Sequence, residues 1–315
     1  MIETPTRISA ARALALLAAF AVAAALAPRA MAEPAGFAFL EVPAGANASA
    51  LGGAYATRAD GVEAAFWNPA GLAATTGIQI TGSHFEYLQQ LRHDQFAFAI
   101  PVGKGGLAAG LRALYSEPIT ERDEFGNAIG TFGGHDLEFS LAYGAPIGGG
   151  WRAGGSAQVI REHIARSAAT TWALGGGVTW EPPSLPALRL GLSGHNLGPA
   201  AHYKLDGGVA GEAVALPMAV QAGASYGLVV GSGLNLRGSL ETRMTRGRSG
   251  VGMVGAELGH ASGAAARIGY RANDDATKFG MGVGYGFSSL KLDYAFVPTE
   301  LDLGDTHRFS LTARF

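Results

Sequence analysis

Cysteine is absent from all 315 residues, so no disulfide braces whatever fold the chain adopts. Charge is scarce as well, at 15% of residues against the usual quarter or so. The net charge of −2 supplies neither the basic surface that nucleic acid requires nor a basic patch for a membrane surface. Beyond the first 32 residues no apolar run approaches the roughly 20 needed for a spanning helix. Disulfide scaffolds, nucleic-acid binders and helical membrane proteins are thereby set aside.

Glycine is plentiful instead, 48 of 315, about twice its ordinary share of roughly 7%. The N-terminus reads as a signal peptide over residues 1–32. Arg7 and Arg12 give a positive start, Ala13–Ala27 a short apolar stretch, and Ala30-Met31-Ala32 a small-x-small cleavage site. High glycine, low charge and an export signal together predict an all-β fold, a transmembrane antiparallel β-barrel over residues 77–315.

The strand pattern supports this. In the last segment Phe309, Leu311, Ala313 and Phe315 share one face, while Arg308, Ser310, Thr312 and Arg314 share the other. Leu137, Phe139, Leu141 and Tyr143 alternate with Glu138, Ser140 and Ala142, and Phe279 to Phe287 alternates with four glycines. Period-2 segments of about this length, apolar outward and polar inward, are the signature of spanning strands. About fourteen are counted from Gly77–Tyr87 to His307–Phe315, an even number as bacterial single-chain barrels have. Every second connection is short, such as Gly103–Gly105 and Ser288-Ser289. Those between are longer, notably Ser116–His135, Leu197–Leu216 and Pro298–Thr306. Short turns belong on the periplasmic side, which places both termini there in an outer-membrane protein.

One stretch does not alternate. Residues 33–76 contain Leu51–Ala73, with Gly52, Gly53, Asp60, Trp67, Asn68, Pro69, Gly71 and Leu72, and read as a compact plug or hatch. Asn68 and Pro69 suit a turn, because Asn tolerates unusual backbone angles and Pro fixes the next one. That turn either launches the first strand or forms a hatch whose movement opens a path. Glycines on the inner face would let this segment approach the wall. The inner-face charges Arg112, Glu138, Arg152, Arg237, Glu241, Arg267, Lys291, Asp293 and Arg308 are expected to pair and brace the lumen. A polar conduction path is the alternative use.

Catalytic patterns are missing. Gly191-Leu192-Ser193-Gly194 and Gly247-Arg248-Ser249-Gly250 lack the nucleophile-elbow spacing, and the Gly-x-Gly strings lie within strands. His93-Asp94 and His135-Asp136 have no nucleophile beside them and read as polar loop residues. Asp302, Asp305 and His307, or Asp274 with Asp275, could approach a cation, but the spacing is too weak to assign a metal. No enzyme, cofactor or metal is predicted.

Leu51-Gly52-Gly53-Ala54-Tyr55, then Asp60, then Phe66-Trp67-Asn68-Pro69-Ala70-Gly71-Leu72 resembles the N-terminal signature of the PorV/PorQ family, within the wider FadL-like barrels. His195-Asn196-Leu197-Gly198-Pro199 is similar to a further PorV/PorQ element. The resemblance implies a barrel passing or binding a hydrophobic small molecule across the outer membrane. Alternatively, it implies a cargo-binding scaffold of a type IX-like secretion system, with an exported protein as partner. The terminal Phe315 strand resembles the signal read by barrel-assembly machinery, and outer-membrane lipid would surround the wall.

Overall fold

The computed structural model describes residues 35–86, 91–204, 209–300 and 304–315; the segment read as a signal peptide lies outside them. The strands in chain order are β1 (Gln79–Glu86), β2 (Arg92–Val102), β3 (Gly105–Tyr115), β4 (Ile119–Arg122), β5 (Ala128–Phe132) and β6 (Gly134–Gly148). They continue as β7 (Trp151–Ile164), β8 (Ser167–Trp180), β9 (Leu188–Leu197), β10 (Ala201–Lys204), β11 (Ala210–Val214) and β12 (Ala219–Gly231). The last six are β13 (Leu234–Thr245), β14 (Val251–His260), β15 (Ala264–Ala272), β16 (Phe279–Phe287), β17 (Leu290–Val297) and β18 (Thr306–Arg314).

Fourteen of these, all but β4, β5, β10 and β11, form one closed antiparallel barrel. Closure comes from β1 against β18, in register from Gln79↔Arg314 to Phe85↔Arg308. The predicted strand count therefore holds. Two differences are informative. The long connections carry structure of their own, a β4–β5 hairpin and a β10–β11 hairpin whose Lys204 pairs Ala168 on β8. The β7–β8 connection is only Ala165-Arg166, because both strands run 14 residues and rise where a loop was expected.

The alternation decides which way the wall faces. On β6, Leu137, Phe139, Leu141 and Tyr143 are 37–51% exposed, whereas Glu138, Ser140 and Ala142 are buried. Phe96, Leu111, Val159, Leu192, Val254, Ile268, Val283 and Leu311 continue this outward apolar surface around the barrel. Leaving apolar area in water costs about 25 cal/mol per Å². A belt that encircles the molecule is accounted for by lipid and by nothing else on the surface. Trp151 and Trp180 stack at 5.5 Å where β7 and β8 reach the short-turn end, as residues of an interfacial girdle do.

The barrel is filled by the part of the chain that precedes β1. Residues 35–76 run through the lumen as 3₁₀ turns and two short helices, α1 (Ala46–Ala50) and α2 (Ala64–Trp67). Alanines dominate because the space is narrow: Ala46, Ala50, Ala54, Ala64 and Ala70 are wholly enclosed. The wall yields room through glycine. A Cβ on Gly269 would sit 2.0 Å from the Leu51 carbonyl carbon, and one on Gly280 would sit 2.2 Å from the Ser49 oxygen. Gly144 and Gly154 face Pro69 in the same way. The inner-face glycines thus let the segment touch the wall backbone, as the sequence reading expected.

Candidate functional site

The wall grips the inner segment mainly by polar side chains aimed at its backbone. The Glu241 carboxylate accepts from the Ala56 N–H at 3.0 Å, the Thr57 N–H at 2.9 Å and the Thr57 hydroxyl at 2.7 Å. Gln221 donates to that same carboxylate and, at 3.0 Å, to the Gly53 carbonyl. Gln79 accepts from the Val62 N–H, Gln95 from the Gly45 N–H and Ser310 from the Ala46 N–H. A segment with so little regular structure leaves backbone groups unpaired, and these side chains satisfy them.

Charges supply the second set of ties. Arg308 donates to the Pro43 carbonyl and the Ser49 hydroxyl, and lies 4.2 Å over the Phe85 ring. Arg112 reaches the Leu40 carbonyl at 3.1 Å while pairing Glu138 at 3.3 Å. Arg152 and Arg189 both hold Asp60 of the segment and Glu181 of the wall. Arg267 sits between Glu257 and Asp293, Lys291 bridges Asp293 to Glu63, and Arg58 completes the chain on Glu257. Within the segment, Tyr55 donates to Glu63 at 2.9 Å and accepts from Asn47. Burial and the adjacent Glu63 push the Tyr55 phenol well above its ordinary range, so it remains a donor.

Most predicted site residues fall in this contact. Gly52 (φ +62°) lies against the Gly269–Tyr270 backbone, and Gly53 (φ +80°) against Met253 and Arg271. A Cβ on Gly71 would meet the Ala59 oxygen at 1.9 Å. Trp67 donates to the Ala44 carbonyl and meets Tyr55 edge-on at 5.8 Å, with Leu72 buried in the same cluster. Asn68 differs from expectation. Its backbone is ordinary and extended (φ −158°), so the residue is not there for an unusual angle. Its side chain accepts from the Ala70 N–H, capping the Pro69–Ala74 turn, and its amide reaches the Val178 carbonyl on the wall at 3.3 Å. Arg237 also departs from the bracing pattern: it is exposed near the short-turn end, and among the described residues it has no ion-pair or hydrogen-bond partner.

The two His-Asp pairs come apart, because neighbours on a strand point to opposite faces. His93 faces inward, fully buried, stacked on Phe85 and beside Gln95, while Asp94 faces outward to His84 and Tyr115. His135 stacks outward on His163, and Asp136 lies opposite Glu162. Asp274 is taken by Arg271 and by the Ala276 and Thr277 N–H groups. Asp302 lies outside the described residues, and among those described no cluster could hold a metal ion.

Above the segment, toward the long loops, the lumen opens into a cavity of about 480 Å³. Its floor is Val42, Pro43, Gly52, Gly53 and Trp67 of the segment; its walls include Arg243, Met253, Arg271, Phe279, Val297 and Arg308. A small recess behind it shares Val42, Pro43, Trp67 and Arg243 and runs on to Arg112 and His195. Arg189, Arg243, Glu257, Arg271 and the glutamines 79, 95 and 221 were missed in the sequence. Each lies on the inward face of its strand, and that parity was the available signal.

A closed fourteen-strand antiparallel barrel with residues 35–76 folded into its lumen defines the class of fold. No family model matches the sequence, and no curated protein does. Among solved structures, the CymD monoaromatic hydrocarbon channel superposes with TM-score 0.57 at 13% identity, over 87% of this chain and 98% of that one. The toluene transporter TodX of Pseudomonas putida gives 0.57 at 12% identity, over 86% and 96%. A FadL homologue of Pseudomonas aeruginosa gives 0.50 at 12% identity, over 86% and 98%. The chain has the fold of these FadL-like barrels.

Proposed function

We propose that this protein sits in a bacterial outer membrane, with both termini periplasmic, and passes or binds a hydrophobic small molecule. The observation that carries this reading is the cavity of about 480 Å³, open toward the long loops and floored by Trp67 and the Gly52-Gly53 turn. Its size falls in the range of small-molecule sites, roughly 300–1,000 Å³. The segment beneath acts as the hatch: solute entering from the loop side reaches it and leaves when it shifts. Fold-sharing channels for toluene and monoaromatic hydrocarbons support this direction. The N-terminal motif supports placing the chain near the PorV/PorQ branch of that group. The chain acts without catalysis.

The test is uptake of radiolabelled toluene and, separately, of radiolabelled benzoate by cells carrying the barrel, compared with cells carrying a Gly52–Leu72 deletion and cells without it. Faster uptake of either with the intact barrel supports the reading. Equal uptake of both in all three, with the intact barrel present in the membrane, sinks it.

A second reading is favoured by one feature. The β4–β5 hairpin exposes Ile119, Phe125, Ile129 and Phe132 on a long loop, which suits a scaffold that holds an exported protein. Replacing Phe125 and Ile129 by Ser should then abolish co-purification of that partner while the barrel still folds. Insertion through the Phe315 strand by the assembly machinery belongs to both readings.

A further inference from the structure

We propose that the cavity binds a compact organic anion, a monocarboxylate on a small apolar body, with Arg243 as its anchoring cation. The inference rests on the ligand-binding reading above and names the class of ligand.

Arg243 is the side chain the bracing network leaves over. It lies on the inward face of β13, between Gln221 on β12 and Val251 on β14, and lines both the cavity and the recess behind it. Every neighbouring cation is already occupied. Arg271 is held by Asp274, Arg248 by Glu41 at 2.7 Å, and Arg308 by Ser49 and the Pro43 carbonyl. Among the described residues Arg243 has neither an ion pair nor a hydrogen bond. Of the carboxylates that line the same cavity, Glu41 is paired with Arg248 and Asp274 with Arg271.

A half-buried guanidinium without a partner is unfavourable, and interior charges in membrane proteins mark sites of solute contact. The planar fork matches a carboxylate by two parallel hydrogen bonds. Around it Trp67, Met253 and Val297 supply apolar surface for the rest of the molecule. A neutral hydrocarbon would use that surface but leave Arg243 unpaired. A carboxylate with a ring-sized body uses both.

Equilibrium dialysis of the barrel in lipid nanodiscs tests this, with radiolabelled benzoate and toluene as probes and empty discs as blank. Benzoate is expected to bind one per barrel and toluene at least tenfold more weakly. Arg243→Gln should weaken benzoate at least tenfold, Arg243→Lys by less, and Asp275→Asn, which removes a negative charge from the wall, should strengthen it. Because Arg243→Gln removes an uncompensated charge, the empty variant should unfold at an equal or higher temperature than wild type. Benzoate should raise the wild-type temperature alone. Toluene binding as tightly as benzoate, or benzoate binding unchanged in Arg243→Gln, overturns the inference and leaves the proposed function standing. Binding of neither probe, together with no uptake, overturns both.

Discussion

Glu241→Ala should free the inner segment from the wall. The carboxylate is buried and satisfies two backbone N–H groups, Ala56 and Thr57, which no other acceptor reaches. The Thr57 hydroxyl can rotate, and Gln221 keeps the Gly53 carbonyl but loses the carboxylate, so three donors are orphaned, two on the backbone and one on Gln221. A buried donor left without a partner costs about 1–3 kcal/mol. Allowing for water entering the space left by the side chain, the net loss is about 3 kcal/mol. At 1.4 kcal/mol per factor of ten, the open fraction of the segment rises roughly 100-fold. The assay exploits the missing cysteines: Ala56→Cys introduces a single thiol at a position 1% exposed in the native protein. Its labelling by a water-soluble maleimide should be slow in that background and about 100-fold faster with Glu241→Ala added, following the open population. Glu241→Gln, which retains one acceptor oxygen, should fall between. Labelling within threefold of the parent would refute the view that this carboxylate clamps the segment.

Gly269→Val should displace the segment by sterics alone, since its Cβ would lie 2.0 Å from the Leu51 carbonyl carbon; overpacking of about 1–3 kcal/mol would be read as faster labelling at the same thiol. Leu141→Arg places a charge on the lipid face and should cost about 2–4 kcal/mol near the bilayer midplane, measured by folding into vesicles, whereas Ser140→Ala on the inward face should cost far less. The Asp274 loop should loosen in acid. Burial works against the Asp274 carboxylate, but Arg271 and two N–H groups hold its pKa below the ordinary value of 3.8. A depressed carboxyl contributes stability above its unfolded pKa and loses it as pH falls through the folded one. Hydrogen exchange at Ala276 and Thr277 should therefore speed up below about pH 4, and Asp274→Asn should abolish that dependence.

The barrel was readable in the sequence because each strand repeats one rule, apolar out and polar or glycine in, as Leu137–Tyr143 and Phe279–Phe287 display. Short and long connections then fixed the strand number. Arginines 112, 152, 267 and 308 were readable as bracing charges for the same reason. What they hold was not, since pairs such as Glu241 with Thr57 join residues 184 apart and obey no local period. Asn68 was legible as a special position, but its work is done by the side-chain amide against Val178 rather than by its backbone angle. The His-Asp pairs were legible only as pairs until strand parity separated them. Arg243 carried no signal beyond its parity, because being unpaired is a property of the assembled lumen.

Native mass spectrometry of the intact barrel from its own membrane, released in mild detergent and followed by extraction, shows whether the lumen holds a small molecule. One small apolar or amphipathic molecule per barrel is expected, lost from a Gly52–Leu72 deletion that still folds. An empty barrel that co-purifies with an exported protein would rule out a small-molecule channel and favour the scaffold.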